Sequence, residues 1–207
     1  MYWAEFTTIA IAHLFAVASP GPDFAVVTRQ ALTAGTRTGI WTSAGVGSAI
    51  LLHVSYCLLG VALLLASSPA LFDVVKLVAA GYMLYLAVQS FRASFRTSAA
   101  GIQTAIEVRI DPYKAFLLGF LTNGLNPKAT LFFLALFTVV IDLQTPLVVQ
   151  MAYGVYMALA TFVWFATLSK ILGRPQVRAS MLRAGPWFER GMGLILFGLA
   201  LQLLLLS

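Results

Sequence analysis

Two charged residues stand inside apolar stretches of the sequence, and their chemistry is complementary. Asp23 and Lys128 each follow a proline directly. A carboxylate accepts hydrogen bonds from an ammonium group, and a lysine donates them to a carboxylate. The pair therefore suits a small zwitterion, with Asp23 on its amine and Lys128 on its carboxylate. The side-chain amides of Asn123 and Asn126 would add further hydrogen bonds to such a ligand.

Proline and small residues interrupt two apolar stretches, immediately before the two charged residues. A proline inside a helix lacks an N–H group and clashes with the preceding turn, so each helix should stop and restart there. The sequence predicts one restart at Pro22 with Gly21 as its cap, and another at Pro127 with Asn126 as its cap. A restarting helix presents unpaired N–H groups and a partial positive charge.

The composition indicates that this chain is solvated by lipid. Of its 207 residues, 60% are hydrophobic and only 10% are charged, whereas soluble domains carry about 25% charged residues. The net charge of +6 is spread between the apolar runs rather than gathered on one polar face. That distribution disfavours nucleic-acid binding and fits a membrane orientation signal.

Six apolar stretches approach the roughly 17–25 residues that a membrane-spanning helix needs. Runs this long are predicted to be helices, because lipid requires backbone hydrogen bonds to close within each segment. The second and fourth stretches are long enough for tilt or a break. We therefore predict an all-α integral membrane protein with six transmembrane helices, the first and fourth broken at proline. The stretches are 2–18, 40–66, 70–91, 113–141, 146–169 and 187–206.

The basic residues divide unequally between the two sides of such a membrane domain. With six spans, one side receives only Lys76, and Lys128 lies within a span. The positive-inside rule places the other side in the cytoplasm and both termini in the periplasm or exterior. We expect a multi-pass protein of a bacterial inner membrane. The predicted cytoplasmic residues are Arg29, Arg37, Arg92, Arg96, Arg109, Lys114, Lys170, Arg174, Arg178, Arg183 and Arg190.

A polar stretch at 92–112 divides the chain into two halves of three helices. We expect one membrane domain over 1–207, with repeats at 1–91 and 113–207 joined by this cytoplasmic linker. The halves would enter the membrane from opposite sides, which is the layout of an inverted-topology repeat. Matched broken helices in inverted halves indicate a transport site, although proline kinks that only shape packing remain an alternative. The predicted substrate-binding residues are Pro20, Gly21, Pro22, Asp23, Asn123, Asn126, Pro127 and Lys128.

Each of the two charged residues also has a purely structural interpretation. Asp23 suits the first turn of a helix and could serve as a cap there. Lys128 lies 15 residues after Tyr113, or roughly 22 Å along a helix, and could belong to a structural salt bridge. A charge so deep is costly, so Lys128 is expected to pair with an acid or to bind the substrate carboxylate.

The remaining reactive side chains give little chemistry. His13, with Asp23, is a candidate for proton coupling, and His53 lies in the second span; helix-to-helix hydrogen bonds are the alternative for both. Two histidines and the single Cys57 make a poor metal site, and no metal or cofactor is predicted. Gly35 and Gly39 form a G-x-x-x-G pattern that favours close helix packing and allows a homodimer.

Four segments together resemble the LysE/RhtB family of bacterial amino-acid exporters. They are S-P-G-P-D-F at 19–24, G-Y-M-L-Y-L at 81–86, G-F-L-T-N at 119–123 and N-P-K-A at 126–129. The first segment looks most like threonine and homoserine exporters. Ala87 departs from a glycine that many members have, and Glu189-Arg190 stands where an Asp-Arg pair is commoner.

The resemblance implies a small inner-membrane carrier that exports small amino acids, with protons as the coupling ion. An intramembrane enzyme is the first alternative, but the sequence offers no nucleophile–base pair or metal cluster for it. A structural or sensory membrane subunit is the second, and it would not need paired broken helices that carry charges. The expected partners are therefore an amino acid, protons and the lipid bilayer.

Overall fold

The computed structural model describes residues 2–19, 21–67, 69–95, 111–142, 144–172 and 175–205. The described regular structure is entirely helical, which confirms the all-α prediction. Pro20, most of the 92–112 linker, and Arg96, Arg109 and Arg174 lie outside the described residues. The elements are α1 (Trp3–Ala18), α2 (Pro22–Thr33), α3 (Thr36–Ser67), α4 (Pro69–Ser94), α5 (Pro112–Gly124), α6 (Pro127–Ala135), a π-helical turn (Leu136–Val140), α7 (Leu147–Ile171) and α8 (Pro175–Leu205).

Both predicted helix breaks are present. The first helix ends at Ala18 and resumes at Pro22, after an extended Gly21, and the two halves are bent by 54°. The second break lies between α5 and α6, where the side chain of Asn126 accepts a hydrogen bond from the N–H group of Lys128 at 3.0 Å. The local rules for proline and caps were therefore sufficient to locate both restarts.

The helices extend beyond the apolar stretches at several ends. The last helix begins at Pro175, well before the predicted start at Trp187, and contains Pro186. Its first turns carry arginines that read as a loop, but helix formation does not require an apolar sequence. The third helix likewise begins at Thr36, four residues before the apolar run that it contains.

Several described helices have the length and the apolar composition of membrane-spanning segments. By length and apolarity, α3 and α7 each suffice to cross a membrane, and the bent pair α1–α2 gives a third candidate. Helices α4 and α8 are 26 and 31 residues long. Large apolar side chains face outward, with Trp3 exposed to 67% and Trp187 to 69%. Such an apolar exterior suits lipid as its solvent, and these tryptophans suit the interface between membrane and water.

Helix α3 runs through the centre of the fold, against α2, α5 and α7, while α4 packs along α8. Small residues allow the closest approach. A methyl group added at Gly45 would strike the carbonyl of Phe116, and one added at Gly119 would strike the carbonyl of Thr42. The backbones of α3 and α5 are thus in reciprocal contact, as expected where lipid gives apolar side chains no reason to associate.

The G-x-x-x-G pattern does not form one continuous helical face. Gly35 lies in the turn between α2 and α3, with a φ of +87° that favours glycine. Gly39 packs against Ser169 and Ala31 of the same chain. The second glycine of the pattern therefore serves internal packing, and the homodimer gains no support from it.

Replacing Gly119 with alanine should destabilise the fold, because the new methyl group meets the α3 backbone rather than a movable side chain. Overpacking typically costs about 1–3 kcal/mol, and we expect Gly119→Ala at the upper end of that range. The thermal midpoint in detergent measures the effect. Gly81→Ala is the matched control, because its methyl group would meet open space; equal midpoints for both variants would contradict this account of the α3–α5 contact.

Candidate functional site

The two helix breaks meet, and each restarting helix reaches the end of the other broken helix. Asp23, in the first turn of α2, accepts a hydrogen bond from Asn123 in the last turn of α5. Lys128, in the first turn of α6, donates one to Ser19 at the end of α1. The two breaks therefore bring these four residues together.

The Asp23 carboxylate is held from one side only. Its Oδ2 atom accepts from the side-chain amide of Asn123 at 3.0 Å and from that of Asn126 at 3.4 Å. Its Oδ1 atom is buried and has no hydrogen-bond partner among the described residues. A buried acceptor left unpaired costs free energy, and Asp23 lines a cavity, so this atom is suited to a donor supplied by a ligand.

Lys128 reaches two oxygen atoms across the break. Its Nζ atom donates to Ser19 Oγ at 3.0 Å and lies 4.0 Å from Glu189 Oε1. Ser19 Oγ in turn donates to the same Glu189 oxygen at 2.8 Å. The salt-bridge alternative for Lys128 is therefore realised geometrically, although its side chain is still 26% exposed and also lines the cavity.

The cavity between the breaks is about 60 Å³ in volume, with room for several water molecules. Asp23, Lys128 and other polar side chains line it, together with aromatic and aliphatic side chains. A polar cluster beside an apolar wall is typical of small-molecule sites. The lining residues are His13, Ala16, Val17, Ser19, Gly21, Pro22, Asp23, Phe24, Ile50, Asn123, Asn126, Lys128, Ala129, Phe132, Phe133, Thr161, Phe165 and Met192.

Both histidines form hydrogen bonds between helices. His13 of α1 pairs through Nε2 with Thr161 Oγ1 of α7 at 3.0 Å, and both residues line the cavity. His53 of α3 pairs through Nε2 with the backbone carbonyl of Asn123 at 3.1 Å and stacks on Phe133. Both histidines therefore form the helix-to-helix hydrogen bonds that are the alternative to proton coupling. His53 additionally holds the end of α5 in place.

Six of the eight predicted substrate-binding residues line the cavity, as does His13. The six are Gly21, Pro22, Asp23, Asn123, Asn126 and Lys128. Pro127 begins α6 as predicted, and Pro20 lies outside the described residues. Within the described ranges, no group of three or more His, Cys, Asp or Glu side chains is placed to hold a metal ion.

Sequence reasoning missed three polar residues of this region as site residues. Ser19 was only part of the break motif, Thr161 lies in an uninterrupted apolar helix, and Glu189 was noted only as a departure from a family pattern. The available signal for Glu189 was an acid in the last apolar helix, which should have been matched with Lys128 as its counter-charge.

Comparison with known proteins gives a consistent family. The model of the family described as LysE type translocator matches residues 14–207. The threonine efflux protein of Escherichia coli (strain K12) is 23% identical over 200 residues, which cover 97% of each chain. The leucine efflux protein of Salmonella choleraesuis (strain SC-B67) is 32% identical over 147 residues, or 70% of this chain and 65% of that protein. No solved structure matches this chain.

A relative without an assigned activity is similar over most of its length. The uncharacterized membrane protein YahN of Escherichia coli (strain K12) is 28% identical over 186 residues, covering 90% of this chain and 82% of its own.

Asn126 has two structural tasks that substitution can separate. Asn126→Ala removes both the cap of α6 and an amide on Asp23, and loss of a cap typically costs about 1 kcal/mol. Asn126→Ser keeps a capping oxygen and should remain close to the wild type, because the lost contact to Asp23 is long, at 3.4 Å. Thermal midpoints in detergent give the comparison, and an alanine variant as stable as the serine variant would refute the capping role.

Proposed function

This chain belongs to the LysE type translocator family, and on that premise we propose that it exports small amino acids of the threonine or homoserine kind in exchange for protons. The named relatives with an activity are efflux proteins for threonine and for leucine. Membership in a family of translocators excludes the intramembrane enzyme. A structural or sensory subunit would leave the cavity between the two breaks without a use.

One observation carries this proposal: residues of both helix breaks line one cavity, and its lining includes the carboxylate of Asp23 and the ammonium group of Lys128. The unpaired Asp23 Oδ1 would accept from the substrate amine. Lys128 and the first turn of α6 would hold the substrate carboxylate, since a helix N-terminus favours an anion. The apolar wall, including Phe132 and Met192, then suits an uncharged side chain.

The proposed architecture is six spans in two inverted repeats, 1–91 and 113–207. Helices α1 and α2 would form the first span, and α5, α6 and the π-helical turn the fourth. The contacts between the breaks support two equivalent repeats, because Asp23 and Lys128 each directly follow a proline. Asp23 of the first repeat bonds the end of α5, and Lys128 of the second repeat bonds the end of α1. Alternating access would then come from rocking one repeat against the other.

Proton coupling is proposed at Asp23, where a proton and the substrate ammonium would compete for one carboxylate. On the periplasmic side, a proton would bind the carboxylate as the amino acid leaves. On the cytoplasmic side, the proton would leave and the next ammonium group would bind. Competition of this kind gives antiport, because the carrier holds either the proton or the substrate. His13 is the second candidate, although its Nε2 atom is engaged by Thr161.

Neutralising either charge should abolish most of the transport. In vesicles that hold the purified protein, acid on the periplasmic side should accelerate efflux of radiolabelled L-threonine, L-homoserine or L-leucine. Asp23→Asn and Lys128→Met should each lower the rate by about 10–100-fold, as expected for a lost charged hydrogen bond. Asp142→Asn is the control, because Asp142 is exposed outside the cavity. Undiminished flux in both site variants would remove the proposed site.

The proposed orientation can be measured with cysteine labelling. In a Cys57→Ala background, Gln144→Cys would lie in a periplasmic loop and Lys114→Cys on the cytoplasmic side. Both positions are exposed, so a membrane-impermeant maleimide should reach only Gln144→Cys in intact cells and both in broken cells. Labelling of Lys114→Cys alone in intact cells would invert the assignment and place both termini in the cytoplasm.

A further inference from the structure

Glu189 lies on α8, a helix that contributes to neither break, yet its carboxylate reaches their junction. Its side chain is 7% exposed. It accepts from Ser19 Oγ at 2.8 Å and lies 4.0 Å from Lys128 Nζ. Ser19 and Lys128 both line the cavity, so Glu189 acts on the cavity wall through these two residues.

A buried charge of either sign needs a partner, and removal of one member of such a pair is strongly destabilising. Within the protein itself, Lys128 is paired with Ser19 and Glu189. A substrate carboxylate at the same ammonium group would supply the negative charge that Glu189 supplies here. Lysine has three N–H donors, so it can turn from one carboxylate toward another without losing Ser19.

We propose that Glu189 is a positioning residue that serves as the built-in counter-ion of Lys128 whenever the carrier is empty of amino acid. It stands in for the substrate carboxylate and keeps Lys128 charged and in place while the empty carrier returns across the membrane. This inference rests on the proposed export function. It assigns a task to an acid that neither binds the amine nor exchanges the coupling proton.

The role separates two transport modes that share one binding site. In exchange, labelled and unlabelled substrate cross in opposite directions, and the carrier changes conformation only when loaded. In net efflux, the carrier must also return without an amino acid. Loss of Glu189 leaves Lys128 without a negative partner only during net efflux. During exchange, the substrate carboxylate pairs with Lys128.

The test compares both modes for Glu189→Gln in vesicles of one preparation, with L-threonine, L-homoserine and L-leucine as probes. Net efflux should fall by about tenfold or more, as for a charge that is largely removed from water and left without its partner. Exchange should stay within about twofold of the wild type, because the substrate carboxylate then pairs with Lys128. Glu189→Asp keeps the charge and should recover net efflux. Ser19→Ala keeps the ion pair but removes the bridging hydroxyl, so it should lower net efflux by a smaller factor.

Glu5→Gln is the matched control, because Glu5 is also held by hydrogen bonds, to the backbone N–H of Asp142 and to Thr145 and Tyr153. Its ratio of net efflux to exchange should equal that of the wild type. The counter-ion role would be overturned if Glu189→Gln and Ser19→Ala each lowered net efflux and exchange by the same factor. It would also be overturned if neither variant lowered net efflux. Absence of exchange in the wild type would instead overturn the export function itself.

Discussion

The structure depends on hydrogen-bond partners for the polar groups at two helix breaks inside an apolar protein. A helix that stops and restarts leaves N–H and carbonyl groups unpaired, and lipid offers nothing to bond them. Here Asn126 accepts a hydrogen bond from the N–H group of Lys128, and His53 bonds the carbonyl of Asn123. Polar side chains then join the two breaks, because Asn123 and Asn126 donate to Asp23 and Lys128 donates to Ser19. The two breaks therefore stabilise each other, and their polar side chains line the cavity.

The same constraint explains why the cluster contains charges of both signs. Lys128 lies in the first turn of α6, where the helix dipole disfavours a cation. Its side chain escapes that field by reaching the C-terminal end of α1, where a cation is favoured, and the nearby carboxylate of Glu189. Asp23 lies in a favourable first turn but keeps one oxygen atom unpaired. The two charges are therefore paired unequally, because Lys128 has both a hydroxyl and a carboxylate beside it while one oxygen of Asp23 has no partner among the described residues.

Close packing keeps these groups in register. Gly45 and Gly119 let α3 and α5 touch backbone to backbone, and His53 on α3 then bonds the carbonyl of Asn123. Because Asn123 also donates to Asp23, the position of the carboxylate depends on a helix contact outside the cavity. Rigid elements of this kind hold binding groups more accurately than loops do.

Local patterns in the sequence determined the helical class, the lipid-facing composition and both break points. Proline and its caps act within one or two turns, so Pro22 and Pro127 could be placed without a fold, and the unusual chemistry of Asp23 and Lys128 could be recognised. Only the tertiary structure decided which groups meet. Ser19 and Glu189 are separated by 170 residues, and neither type nor spacing links them, because their contact is set by how α1 packs beside α8. Helix α8 also begins at Pro175, before the apolar stretch at 187–206, because helix formation does not require apolar side chains.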